Sequence, residues 1–200
     1  MIKVVAFDFG GVMGSESDDF ENTFKKISEL SGLTTERLHS IFDNHWPKLK
    51  IGKESTKNFW KDVLRESSKH IAGNDLEKEY ESNIFIDKEM LKIVDEVKKK
   101  NYRIVLLPNE TKEWIDYKIK RFQLNMIFDK IYCSAYLAIG KPNKEIFEYV
   151  LKDLMIKPEE LLFIDNQENN IEVARSLGIN SILYTNSQKA KGEIMRSLSI

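Results

Sequence analysis

Cys133 is the only cysteine, so the chain cannot form an internal disulfide, which is what the reducing cytoplasm leads one to expect. There is no excess of basic charge: 31 Lys and Arg face 32 Asp and Glu, without the clustered cations that a nucleic-acid binder uses to neutralise phosphates. Long apolar runs are missing too. The longest are strand-sized, such as Met1 to Phe7 with Lys3 inside it, far short of the roughly 20 apolar residues of a membrane-spanning helix. That N-terminal run is also too short for a signal peptide and leads straight into Asp8. A cytoplasmic protein without membrane or nucleic-acid partners is expected, and nothing in the sequence speaks to its oligomeric state.

What is present is an alternation. Residues 2 to 7 are rich in β-branched and aromatic types and stop at the glycines Gly10, Gly11 and Gly14, which predicts a buried strand and a turn. Similar short runs lie at Arg103 to Leu107, Lys130 to Cys133, Leu161 to Ile164 and Ser181 to Tyr184. Helical stripes stand between them: Met90, Ile93, Val94 and Val97; Ile146, Phe147, Val150, Leu151 and Leu154; and Ile171, Ala174 and Leu177, the last before Gly178 as a natural C-cap. Strand and helix alternating at these lengths predict an α/β fold with a doubly wound parallel sheet.

From Ser15 to about Phe85 the alternation stops. The stripes there are all helical: Phe20, Phe24, Ile27 and Leu30; Leu38, Ile41 and Phe42; Phe59, Trp60, Val63 and Leu64. An all-helical cap subdomain over residues 15–85, inserted into a core of residues 1–14 and 86–200, is therefore expected. Placed directly after the first strand, it would lie over the crevice of the sheet. Aromatics at helical spacing are more often core than binding residues, yet Trp46, Trp60, His39, His45 and Arg37 are the candidates to face that crevice.

In an open α/β sheet the reactive groups gather at the carboxyl ends of the strands. Asp8 follows the first run, Pro108-Asn109-Glu110 the second, Gly140-Lys141-Pro142 the third region and Asp165-Asn166 the fourth. Two carboxylates and a lysine beside glycines that permit close approach suit attack on a phosphoryl group with a divalent cation. Cys133 reads as a buried structural thiol.

In order and spacing, four stretches resemble the haloacid dehalogenase-like (HAD) hydrolase superfamily, in the branch whose helical cap follows the first strand. They are Phe7-Asp8-Phe9-Gly10-Gly11-Val12, Leu106-Leu107-Pro108-Asn109, Gly140-Lys141-Pro142-Asn143 with Glu145-Ile146-Phe147, and Phe163-Ile164-Asp165-Asn166 with Asn169-Asn170 and Ala174-Arg175. The resemblance implies a nucleophile at Asp8 that forms a phosphoaspartyl intermediate, and a Lys141 that holds the nucleophile and phosphate charges together. It also implies Mg²⁺ at Asp8, the Gly10 carbonyl and Asp165 or the Asn166 amide oxygen.

Three positions depart from the family pattern. Gly10 stands where phosphatases of the family carry an aspartate that acts as general acid and base, help worth roughly 10²- to 10⁴-fold. Glu16 and Glu110 are the nearest substitutes. Pro108 replaces a Ser or Thr whose hydroxyl binds phosphate, which leaves Asn109 either as the phosphate donor or as the cap of a helix running from Thr111 to Phe122. Asn166 replaces the second of two adjacent acids. The leading expectation is a Mg²⁺-dependent phosphatase acting on a small phosphorylated metabolite. A catalytically impaired ligand-binding or interaction protein of the same fold is the alternative, and a 2-haloacid dehalogenase is the third.

Overall fold

The computed structural model describes residues 1–14, 17–71 and 73–199, without the side chains of residues 17–20 and 73. Five strands form one parallel sheet: β1 (Val4–Phe7), β2 (Arg103–Leu106), β3 (Lys130–Ile131), β4 (Leu161–Asp165) and β5 (Asn180–Leu183), in the order β3-β2-β1-β4-β5. Side chains alternate across the sheet. Val5, Phe7, Ile104, Leu106, Leu162 and Ile164 join one apolar cluster, and Val4, Ala6, Val105, Leu161 and Phe163 join the other.

Helices α1 (Ser17–Ser31), α2 (Thr35–Leu49), α3 (Thr56–Glu66) and α4 (Gly73–Ser82) follow β1, and α5 (Lys88–Lys99) leads into β2. Beyond β2 come α6 (Lys112–Phe122), the short turns α7 (Leu124–Ile127) and α8 (Ser134–Leu137), then α9 (Lys144–Leu154), α10 (Glu168–Ser176) and α11 (Ser187–Leu198). α5, α6 and α11 cover the first sheet face, while α9 and α10 cover the second. The sheet is doubly wound, because each parallel crossover carries a helix back over one face or the other. Among the described residues no helix is long and apolar enough to cross a membrane.

The helical stretch begins and ends at one place. Gly14 bridges Ile86 antiparallel, and the Asp87 N–H donates to the Met13 carbonyl at 2.9 Å. Phe24, Ile27, Leu38, Ile41, Phe59 and Val63 supply the buried face that their spacing predicts. Leu30 does not, standing 38% exposed near the end of α1, and the Phe20 side chain lies outside the described residues.

Each strand differs by a residue or two from the sequence expectation. The third strand keeps only Lys130 and Ile131 on its ladder, because at the sheet edge the Ser134 N–H turns to the Pro108 carbonyl and α8 begins. Gly178 sits one residue beyond the cap of α10, where its φ of +82° is the left-handed conformation that ends a helix.

Candidate active site

Strand register assembles the centre. Phe7 pairs with Leu106 on one side and Ile164 on the other, so the residues that follow all emerge at one edge of the sheet. The Asp8 N–H donates to the Ile164 carbonyl, and the Leu107 N–H to the Phe7 carbonyl. Asp8 and Asp165 thus stand side by side although 157 positions separate them.

Lys141 lies between the two carboxylates. Its Nζ is 2.8 Å from Asp8 Oδ1 and 2.6 Å from Asp165 Oδ2, with the lysine only 1% exposed. The Asn109 side chain holds the lysine loop from both ends, its Nδ2 donating to the Lys141 carbonyl and its Oδ1 accepting from the Lys141 N–H, each at 2.8 Å. It is therefore no helix cap. Thr111 caps α6, its hydroxyl accepting from the Trp114 N–H, while Asn109 retains a second amide hydrogen.

Burial dominates the electrostatics. Removal from water, reinforced by the Asp165 charge, raises the Asp8 carboxyl to about 6 against the pull of Lys141. For Lys141 burial works against the charge, but the two carboxylates win and push the ammonium above its ordinary value.

Asp165 is fixed more fully. Its Oδ1 accepts from the Gln167 N–H, and its Oδ2 from Asn170 Nδ2 as well as Lys141. Asn166 Oδ1 is buried without a hydrogen-bond partner. Gly11 makes room for that side chain: its φ is +68°, and a Cβ there would stand 2.2 Å from Asn166 Nδ2. Around Gly10, by contrast, a Cβ would meet nothing within 4 Å.

Among the described residues no three His, Cys, Asp or Glu side chains gather as a metal site. The oxygens gathered here are the Asp8 carboxylate, the Gly10 carbonyl and the orphaned Asn166 amide oxygen, with the Asp165 carboxylate buried behind them, a hard donor set that fits Mg²⁺.

A cleft of about 410 Å³ opens on this centre, with Asp8, Gly10, Asn109, Lys141 and Asn166 in its wall. Gln167, Asn169 and Asn170 complete a rim of amides; Asn169 and Asn170 belong to the family-like stretch after Asp165 without a role assigned from the sequence, and the sequence reading does not single out Gln167. A second cavity of about 370 Å³ adjoins it, sharing Gly10, Trp46, Asn109, Asn166 and Gln167.

Of the five candidates to face the crevice, Trp46 alone lines these cavities. Trp60 is buried among aromatics, Arg37 pairs with Glu66, His39 with Glu21, and His45 with Glu54 and Asp62. Glu110 is no free acid, since Lys118 binds one of its oxygens and the Thr111 N–H donates to the other. Glu16 lies outside the described residues. Cys133 is buried, as expected, and burial raises its thiol to about 11.

With fold and centre in view, the chain belongs to the haloacid dehalogenase-like hydrolases, whose family model matches residues 5–184. It is 28% identical over 207 residues to the D-ribitol-5-phosphate phosphatase of Bacteroides thetaiotaomicron, covering 97% of each chain. It is also 28% identical to the bifunctional epoxide hydrolase 2 of Mus musculus, over 96% of this chain but only 38% of that longer protein. Among solved structures, a HAD family enzyme of Bacteroides thetaiotaomicron in complex with magnesium and inorganic phosphate superposes with a TM-score of 0.77 at 25% identity, over 92% of this chain and 95% of that one.

Proposed function

We propose that the chain is a Mg²⁺-dependent phosphomonoester hydrolase that acts on a small phosphorylated metabolite through a phosphoaspartyl intermediate on Asp8. The observation that carries the reading is the buried Asp8–Lys141–Asp165 cluster at the mouth of an amide-rimmed cleft. Relatives named as phosphatases and the neighbour that binds magnesium and phosphate support it.

Asp8 presents the attacking carboxylate oxygen, and Lys141 keeps it oriented while offsetting its charge as a phosphoryl group approaches. Asn109, through its remaining amide hydrogen, is the phosphate donor in place of the hydroxyl that Pro108 cannot offer. Asp8, the Gly10 carbonyl, Asp165 and Asn166 would hold the metal. The chemistry supplied by a bound Mg²⁺ is neutralisation of charge on the phosphoryl oxygens. Residues 15–85 serve as the cap over this core of residues 1–14 and 86–200, with Trp46 reaching into the cleft.

The test is hydrolysis of p-nitrophenyl phosphate, whose good leaving group makes light demands on an acid. Wild type is expected to turn it over with Mg²⁺ and to stop with chelator, while Asp8→Asn is inactive throughout. Turnover that survives either change overturns the reading. A second reading, a ligand-binding protein without turnover, draws on Gly10 and on the ion pair that occupies Glu110; an inactive wild type that still binds phosphate at the cleft would establish it.

A further inference from the structure

The cavity beside the phosphate cleft is built from rings. Phe9, Phe42, Trp46, Tyr80 and Trp114 line it, with Tyr80 and Trp114 stacked at a centroid distance of 4.0 Å and Phe42 on Trp46 at 5.2 Å. Its charged lining residues, Glu110 and Lys118, are bound to each other, and the ammonium also lies over the Phe9 ring at 4.6 Å. Thr23, Asn83, Asn109, Asn166 and Gln167 add polar groups to the lining, while the ring walls reward a flat apolar body.

The phosphate cleft makes an independent demand. Its titratable lining residues, among those described, are Asp8 and Lys141, and both are engaged in the central cluster. Among the described residues no free acid lines that cleft to protonate a departing alkoxide. A phenolate needs no such help, because it is stable enough to leave as the anion.

Resting on the phosphatase reading above, we infer that the substrate is an aryl phosphate, its phosphoryl group in the cleft on Asp8 and its aromatic body in the adjoining ring-lined cavity. An Asp8 carboxylate oxygen forms a bond to phosphorus as the phosphorus–aryloxy bond breaks, and the phenolate departs with the electron pair. Water then attacks phosphorus and displaces the Asp8 carboxylate. The two protons of that water end on the released phosphate and the phenolate, which balances aryl phosphate plus water against phenol plus phosphate.

The experiment compares kcat/KM for 1-naphthyl phosphate, decyl phosphate and ribitol 5-phosphate in the presence of Mg²⁺, for wild type, Trp46→Ala and Trp46→Phe. Because proton donation is worth roughly 10²- to 10⁴-fold, 1-naphthyl phosphate is expected to lead both alkyl phosphates by about 10²-fold or more. Trp46→Ala is expected to raise KM for the naphthyl ester about tenfold, and Trp46→Phe to restore most of it, as about 1.4 kcal/mol of ring contact is a factor of ten. Ribitol 5-phosphate equal to or better than the naphthyl ester overturns the inference and leaves the phosphatase reading intact. Decyl phosphate in the lead also overturns it, in favour of an apolar site without the leaving-group requirement. Hydrolysis of none of the three overturns both readings together.

Discussion

Asp8 is held in a place where its charge is costly, and the cost is open to measurement. Its carboxyl rises from 3.8 to about 6, with burial as the main cause. At 1.36 kcal/mol per pH unit, ionising it in the folded chain costs about 3 kcal/mol more than in the unfolded one. The sign follows from proton binding. The folded state holds this proton more tightly than the unfolded state, so stability contributed by the neutral form is present in acid and is lost as pH rises between 3.8 and about 6. An asparagine has no proton to lose. In chelator, Asp8→Asn should therefore be more stable than wild type at neutral pH, and its advantage should grow by about 1.4 kcal/mol between about pH 5 and pH 8. That increment corresponds to about 3–6 °C in Tm for a chain of this size. Thermal unfolding of both proteins across this range is the assay. An advantage that is independent of pH, or that shrinks as pH rises, would refute the account of a desolvated nucleophile.

Three other perturbations probe the same centre. Gly10→Asp should raise kcat/KM for alkyl phosphates by about 10- to 100-fold in a steady-state assay, because a side chain there meets open space and restores a proton donor. Lys141→Met removes the partner of two buried carboxylates and should cost about 3–5 kcal/mol in urea unfolding, with loss of turnover. Gly11→Ala forces a Cβ onto Asn166 at a positive φ and should destabilise the chain by about 1 kcal/mol or more while weakening Mg²⁺ binding measured by calorimetry.

The elements of the sheet and the edge where the chemistry gathers are legible in the sequence because both rest on local patterns. A short apolar run that ends in a polar residue marks a strand and its carboxyl end, and Asp8, Asn109 and Asp165 stand at or just beyond such ends, while Lys141 arrives from the loop before α9. What local pattern does not carry is the pairing of distant side chains. Asn109 is occupied by the backbone of a residue 32 positions away, and Glu110 by Lys118 two turns along α6, so one potential ligand is partly engaged and one potential acid is removed. The cap residues show the same limit. His39, His45 and Arg37 look available in sequence but are satisfied by Glu21, Glu54, Asp62 and Glu66 across helix boundaries. The ring-lined cavity draws on residues from β1's turn to α6; Phe42 belongs to a helical stripe, Tyr80 and Trp114 to no pattern that the sequence displays, and only their convergence leaves a space between them.

The central claim is that Asp8 carries the phosphoryl group. It is tested most directly by acid-quenching the enzyme during turnover of p-nitrophenyl phosphate with Mg²⁺ and locating the acid-stable phosphoryl adduct by peptide mass spectrometry. The adduct is expected on the peptide containing Asp8 in wild type and on no peptide in Asp8→Asn. Turnover with Asp8 unmodified, or an adduct at another residue, would contradict the account.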